Sequence, residues 1–279
     1  MISVPSLEWH ITHACNFSCD NCGDFSNFNH QENISLETLR SWYEPWYRRL
    51  SPKIVSIIGG EPLLNKDAIE IIYTTKTYWN HPDTEYEILS NGWLIDRYPH
   101  LPKALAETDC QLVISKHFNS GPYLEKLNSV IDLLETWRQD YGIRYRVDDS
   151  YGNWRRLYQG EGVDIEPFED DDPEGSWEIC PTYQDCFQLL DRAIYKCCLL
   201  AYLPLQKKKH GLSEKWNPYL EYQPLMPGCS DEEIIEFFNR KAEKYCAMCP
   251  SKNHHSMEDL QFFHRDPSKK INFVKISGK

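Results

Sequence analysis

Cys15, Cys19 and Cys22 stand at C-x3-C-x2-C spacing. Three thiolates so close in sequence can hold one metal centre. A structural zinc site takes four ligands, and His13 or His30 could supply the fourth. With three ligands only, one coordination position stays open. A 4Fe–4S cube on three thiolates has such a position, on an iron free to take a substrate or cofactor. The chain holds eleven cysteines in 279 residues, an odd number that cannot all pair. Residues 1–8 lack the basic-then-apolar pattern of a secretion signal. A reducing, cytoplasmic compartment with cluster or metal ligation explains the cysteines better than a disulfide framework.

Seven of the eleven lie between Cys180 and Cys249. Cys246-Ala247-Met248-Cys249 fits zinc or a cluster alike. Residues 187–190 and 193–196 read as two strands around an Asp191-Arg192 turn. That hairpin puts Cys186 across from Cys197, with Cys198 next and Cys180 before it. Cys110 and Cys229 read as ordinary buried or loop thiols. Away from the cysteines, Gly59-Gly60-Glu61-Pro62 follows an apolar, β-branched run. Its glycines let a ligand approach the main chain. Pro62 keeps Glu61 out of helix, so the segment presents extended carbonyls to a cation such as an ammonium. Ser90-Asn91-Gly92 and Ser115-Lys116 also end strand-like runs, and an Asn-Gly pair alone is a turn signal.

Taken together, these segments resemble the radical S-adenosylmethionine (SAM) superfamily. The superfamily places an aromatic residue close to the third cysteine. Here Phe17 lies in the wider gap and Asn21 precedes Cys22. The resemblance implies a 4Fe–4S cluster on Cys15, Cys19 and Cys22, with SAM on the open iron. It implies that Gly59, Gly60, Glu61 and Pro62 bind the SAM amino group and that Ser90 and Asn91 lie along the cofactor. Ser115 would meet its ribose or carboxylate. The region after Cys180 resembles the twitch domain, a shortened SPASM extension: a cysteine before a hairpin, Gly-x4-Cys at its far end, a helix, then C-x2-C. Arg192 stands where that glycine would be. The resemblance implies an auxiliary 4Fe–4S cluster on Cys180, Cys197, Cys246 and Cys249. Cys186 is the alternative to Cys180, and Cys198 to Cys197. Structural zinc on the same ligands is the rival reading. No cysteine follows Cys249, which argues against a two-cluster SPASM pattern.

The implied chemistry is reductive cleavage of SAM to a 5′-deoxyadenosyl radical, which removes hydrogen from an unreactive C–H bond. An auxiliary cluster suits a net oxidation, because the substrate radical must lose an electron. The small size of the chain favours a polar small molecule, such as a sugar or natural product; nine tryptophans could stack on a sugar but suit core packing better. Maturation of a ribosomally made peptide is the alternative, although the first strand begins by about residue 7 and leaves no room for a preceding recognition domain. A non-catalytic iron–sulfur or zinc module is the second alternative, and it has no use for Gly59–Pro62. A one-electron donor such as flavodoxin or ferredoxin would be the partner. Arg144, Arg146, Arg155, Lys116 and Asp148 are unranked candidates for a deprotonating base.

These residues need a scaffold, and the first half of the chain alternates strand-like and helix-like segments. Strands are expected at 7–12, 53–58, 86–89, 111–115 and 143–147, with a sixth near 163–168. Helices are expected at 35–49, 67–79, 102–108 and 123–141. Such alternation implies an α/β fold with parallel strands and right-handed crossovers. The expectation is a partial βα (TIM-like) barrel over residues 1–168, then a small cysteine-rich iron–sulfur domain over 169–255 and a tail over 256–279. In such barrels the working residues sit on loops after the strand C-termini. Residues 231–245 read as a helix, 169–174 as a charged linker and 207–209 as an exposed basic loop. The net charge of −12 argues against a nucleic-acid partner. No apolar run reaches the roughly 18 residues of a membrane span.

Overall fold

Five strands run parallel in one sheet: β1 (Ile2–His10), β2 (Leu50–Ile58), β3 (Glu85–Ser90), β4 (Cys110–Ser115) and β5 (Tyr145–Asp148). The computed structural model describes residues 1–28, 30–150, 155–160, 162–180 and 186–251. Helices α1 (Leu36–Tyr43), α2 (Ala68–Tyr78), α3 (Leu101–Thr108) and α4 (Gly121–Tyr141) make the crossovers. A hairpin of β6 (Gln188–Leu190) and β7 (Ala193–Tyr195) extends the sheet beside β1, giving the order β5-β4-β3-β2-β1-β6-β7. The architecture is therefore the expected α/β, partial-barrel class. The short helices α5 (Pro173–Glu178), α6 (Cys198–His210), α7 (Asn217–Leu220) and α8 (Asp231–Asn239) complete the described chain.

Alternating apolar burial explains the scaffold. Leu7 and Trp9 of β1, Val55 and Ile57 of β2, Ile88 of β3 and Leu112 and Ile114 of β4 are essentially inaccessible, as parallel strands covered on both faces require. Trp9 packs on Tyr43 and Trp79 with centroids 4.7 and 5.9 Å apart, so these tryptophans build the core. One apolar core runs from Val4 through Met248, so the segments 1–168 and 169–251 share both sheet and core.

Several local expectations shift. Helix α1 opens as expected, with Ser35 Oγ accepting from Thr38 N at 3.1 Å. It stops at Tyr43: Glu44 is still helical and its N–H bonds Arg40 O, but Pro45 has no N–H to continue the ladder. The stretch 163–168 is not a sheet strand. Gly162–Asp164 is a 3-10 turn, and Gln159 and Glu166 make an isolated bridge away from the sheet. The sixth strand is Gln188–Leu190 instead. Residues 207–209 end α6 rather than forming a loop, and their charge complements the helix dipole. Helix α8 keeps a full capping box, Ser230 with Glu233, but ends at Asn239. Arg240 there is extended, and its carbonyl accepts from Lys196 Nζ at 2.7 Å. The expected tail, 256–279, lies outside the described residues.

The loop between β1 and α1 carries the first three cysteines and is closed at its neck. Ile34 N donates to Ile11 O at 2.9 Å, and His13 N to Glu32 O at 2.9 Å. The buried Asn65 amide donates to both Ile11 O (2.6 Å) and Ile34 O (3.0 Å).

Candidate active site

The loops after β1 to β5 open at one end of the sheet, as parallel topology dictates. They surround a cavity of about 430 Å³, within the ordinary range for small-molecule sites. Cys15, Cys19 and Cys22 line it together with Gly59, Gly60, Ser90, Asn91 and Ser115. Eight of the expected cofactor and first-centre positions share this wall, although they come from the ends of four separate strands. Arg155 also lines the cavity; Arg144, Arg146, Lys116 and Asp148 do not. Arg144 instead pairs with Asp109, and Arg146 with Glu87 and Asp148.

The two glycines also admit a neighbouring stretch of backbone. Gly60 N donates to Thr12 O at 3.0 Å, and Glu61 N to Ala14 O at 2.9 Å. These bonds continue the β1–β2 pairing into the loops. A Cβ on Gly60 would lie 2.3 Å from Ala14 O and 2.9 Å from Cys15 Cβ, and one on Gly59 2.6 Å from Thr12 O. The close approach is therefore made by the cysteine loop's own backbone.

Glu61 and Pro62 do not line the cavity. Glu61 is extended (φ −135°, ψ 107°), as Pro62 demanded, but its side chain turns inward and is fully buried. Its carboxylate accepts from Leu63 N (3.1 Å), Ser90 Oγ (2.9 Å) and Asn91 N (2.8 Å). Burial raises its pKa to about 7 against those donors. Glu61 thus ties the β2 loop to the β3 loop. Asn91 extends the tie by donating from Nδ2 to Asn16 Oδ1 at 2.8 Å.

Asn21 is the residue that sits where an aromatic was expected. It has φ 55°, a left-handed conformation that asparagine tolerates. Its Oδ1 accepts from Leu157 N and Tyr158 N, both at 2.9 Å, and so fixes the segment that follows Arg155 over the cysteine loop. The displaced Phe17 packs edge-on against His117, Phe118 and Tyr123.

The donor set fits an iron–sulfur centre. Burial pushes all three thiols up, Cys22 to about 12, so the thiolates need a cationic partner. A backbone N–H is already aimed at one of the sulfurs: Phe17 N donates to Cys15 Sγ at 3.3 Å. The possible zinc partners His13 and His30 lie elsewhere, packed with Tyr202 and His210, and burial lowers His13 to about 3. The imidazole that approaches the thiols is His117, with Nδ1 3.8 Å from Cys19 Sγ.

A second, much smaller cavity of about 40 Å³ is lined by Cys180, Cys197, Cys246 and Cys249. The four come from the end of α5, the N-cap of α6 and the 3-10 turn Lys244–Met248 with its C-cap. Ser176 Oγ donates to Cys249 O at 2.9 Å, and Phe168 N to Met248 O at 2.9 Å, closing the segments on each other. Burial raises Cys197 and Cys249, and the neighbouring thiols raise them further. The alternatives Cys186 and Cys198 fall outside this group and line the first cavity. Among the described residues, no three Cys, His, Asp or Glu side chains are closed up as around a single metal ion.

Residues 9–131 match the Radical SAM superfamily. The match takes in somewhat under half of the chain and marks that stretch as similar to the superfamily. A relative named probable GTP 3′,8-cyclase, from Archaeoglobus fulgidus, is 30% identical over 95 residues. That match spans 34% of this chain and 30% of the relative. Among solved structures, BtrN in complex with AdoMet and 2-DOIA is similar at 15% identity and TM-score 0.47, covering 78% of this chain and 87% of BtrN. anSMEcpe with bound AdoMet and Cp18Cys peptide gives 19% and 0.37, over 51% of this chain and 42% of that one. Streptococcus suis SuiB bound to S-adenosylmethionine gives 13% and 0.35, over 70% and 60%.

Two acidic residues of the cavity were not singled out from the sequence. Glu8, on β1, lines the cavity, and burial raises its carboxyl well above the usual range. Its Oε2 accepts from Gln188 Nε2 at 2.6 Å. Asp24 lines it too, 3.3 Å from the buried His10. The signal for Glu8 was an acid inside an otherwise apolar strand, with His10 two residues on and hence on the same face.

Proposed function

We propose that this chain reductively cleaves SAM and uses the resulting radical to oxidise a polar small molecule, of the sugar or natural-product class. The observation that carries the reading is the convergence of Cys15, Cys19 and Cys22 with Gly59, Gly60, Ser90, Asn91 and Ser115 on one cavity. The three cysteines would hold the 4Fe–4S cluster. When bound, cluster and SAM supply a 5′-deoxyadenosyl radical able to remove hydrogen from an unreactive C–H bond. The chain's part is positional. The main chain of Gly59 and Gly60 offers polar groups to the amino acid end of SAM. Glu61, Asn91 and Asn21 hold the surrounding loops. Glu8 and Asp24 offer carboxylates to hydroxyl or ammonium groups, and Arg155 a guanidinium, so the cavity suits a polyhydroxylated or amino-substituted substrate. Cys180, Cys197, Cys246 and Cys249 would hold an auxiliary 4Fe–4S cluster that accepts the substrate's electron. Eleven free thiols suit a reducing cytoplasm, and a flavodoxin or ferredoxin would supply the first electron. No described helix is long and apolar enough to cross a membrane.

The test is direct. Anaerobically reconstituted protein, given dithionite and SAM, should release 5′-deoxyadenosine. Changing Cys15, Cys19 and Cys22 together to alanine should abolish the release. Deoxyadenosine made by the triple variant would sink the reading.

A further inference from the structure

Two thiols in the large cavity belong to neither group of cysteines described above. Cys186 and Cys198 are 8% and 5% exposed and both line that cavity. The register of the β6–β7 hairpin, with Gln188 opposite Tyr195, brings the chain segments that carry them side by side at its open end. Gln188 Nε2 donates to Cys186 Sγ at 3.3 Å while also holding Glu8. Cys198 lies against the first cysteine loop: a Cβ on Gly23, next to Cys22, would be 3.3 Å from Cys198 Sγ. Its chain neighbour Cys197 lines the small cavity instead. Cys110 is equally buried, but lines neither cavity.

We propose that Cys186 and Cys198 form a redox-active dithiol that gives hydrogen atoms to carbon radicals formed in the cavity and closes to a disulfide. The proposal rests on the cavity being the place where such radicals are made. An S–H bond is weaker than the C–H bond of a primary alkyl group, so a carbon radical beside a thiol takes its hydrogen. One C–H bond forms as one S–H bond breaks, leaving a sulfur radical. A second carbon radical takes the hydrogen of the partner thiol, and the two sulfur radicals join. Two carbon radicals and two thiols give two C–H bonds and one S–S bond, with no proton or electron left over. A thiol reductant such as dithiothreitol reopens the disulfide by exchange. The pair is suited to this task by the hairpin register, which sets both sulfurs on one cavity wall so that the partner lies near the first radical. Lining the cavity leaves the pair within reach of small reagents.

The dithiol can be tested without knowing the substrate. Reconstituted holoprotein is reduced with dithionite in deuterium oxide, given SAM alone, and its 5′-deoxyadenosine weighed by mass spectrometry. Thiol hydrogens exchange with solvent, so wild-type protein should yield mainly singly deuterated deoxyadenosine. A Cys186→Ser, Cys198→Ser variant should lose at least nine-tenths of that label. Unlabelled product from the wild type, or equal labelling in the variant, overturns the proposal. A second measurement needs no variant and no turnover. Anaerobic wild-type holoprotein is treated with diamide, which takes two hydrogens from a thiol pair, then quenched in acid and mapped by peptide mass. The map should show Cys186 joined to Cys198, and two free thiols at these positions overturn the pair. If the wild type makes no deoxyadenosine at all, the function proposed above fails, and the peptide map then decides the dithiol by itself.

Discussion

The two cysteine-lined cavities differ by about tenfold in volume, roughly 430 against 40 Å³. The large one takes its three thiols from a single short loop and the rest of its wall from the ends of five parallel strands. The small one gathers four thiols from segments far apart in sequence and is lined largely by side chains such as Trp177, Leu200, Tyr245 and Met248. Three ligands and spare space suit a centre that must admit a reactant. Four ligands and almost no space suit one that exchanges only electrons, or that only ties chain segments together. The contrast separates reactive from enclosed sites by count and room, not by residue type.

The widest break in the comparison comes from removing the enclosed site. With two cubes the wild type should carry about eight irons per chain. A Cys246→Ala, Cys249→Ala variant should keep about half of them, keep some deoxyadenosine release, and form no product. Iron analysis beside product assays checks this, and four irons with one zinc in the wild type would make the small cavity structural.

A smaller effect should follow from crowding the open site. A side chain at Gly60 must displace the Ala14 carbonyl, 2.3 Å from its Cβ. Such overpacking costs about 1–3 kcal/mol. Gly60→Val should therefore weaken SAM binding about tenfold or more by calorimetry, while the small cavity keeps its metal. Unchanged affinity would remove the β2 loop from the site.

The effect most remote from turnover is a pH dependence of stability that belongs to the large cavity's frame alone. Glu61 is raised from 4.5 to about 7 by burial. A carboxyl raised on folding favours the folded state most below its unfolded value. That contribution fades as pH rises from about 4.5 through 7, by about 3 kcal/mol in all. The wild type should lose stability over this window relative to Glu61→Gln. The check is the difference in thermal unfolding midpoint between the two at pH 5 and pH 8. A constant difference would mean that the three donors to Glu61 keep it ionised throughout.

The asymmetry between the cavities also explains what could be read in advance. The C-x3-C-x2-C loop was legible because its ligands are local, and the parallel scaffold because strand and helix periods alternate. Ser90 and Asn91 were legible as positions, being at the end of a strand, but not in their role, since their bonds to Glu61 and Asn16 cross between loops. The extended backbone at Glu61 was legible from Pro62, but nothing in a tetrapeptide shows which way its carboxylate turns. Helix α6 was missed because Leu199 to Leu203 is buried on every side, which removes the amphipathic period, and Pro204 interrupts it. Its register then divides Cys197 from Cys198, a separation that spacing in the sequence does not encode.

The closed neck at Ile11, Ile34 and Asn65 has a thermodynamic consequence for metal uptake. The ends of the cysteine loop are already held together, so the chain entropy of bringing them together is lost when the sheet folds, not when iron arrives. Binding the first centre then needs only local ordering of three side chains and the turns between them. A molecule stripped of iron should keep this frame and accept a new cluster without refolding its sheet.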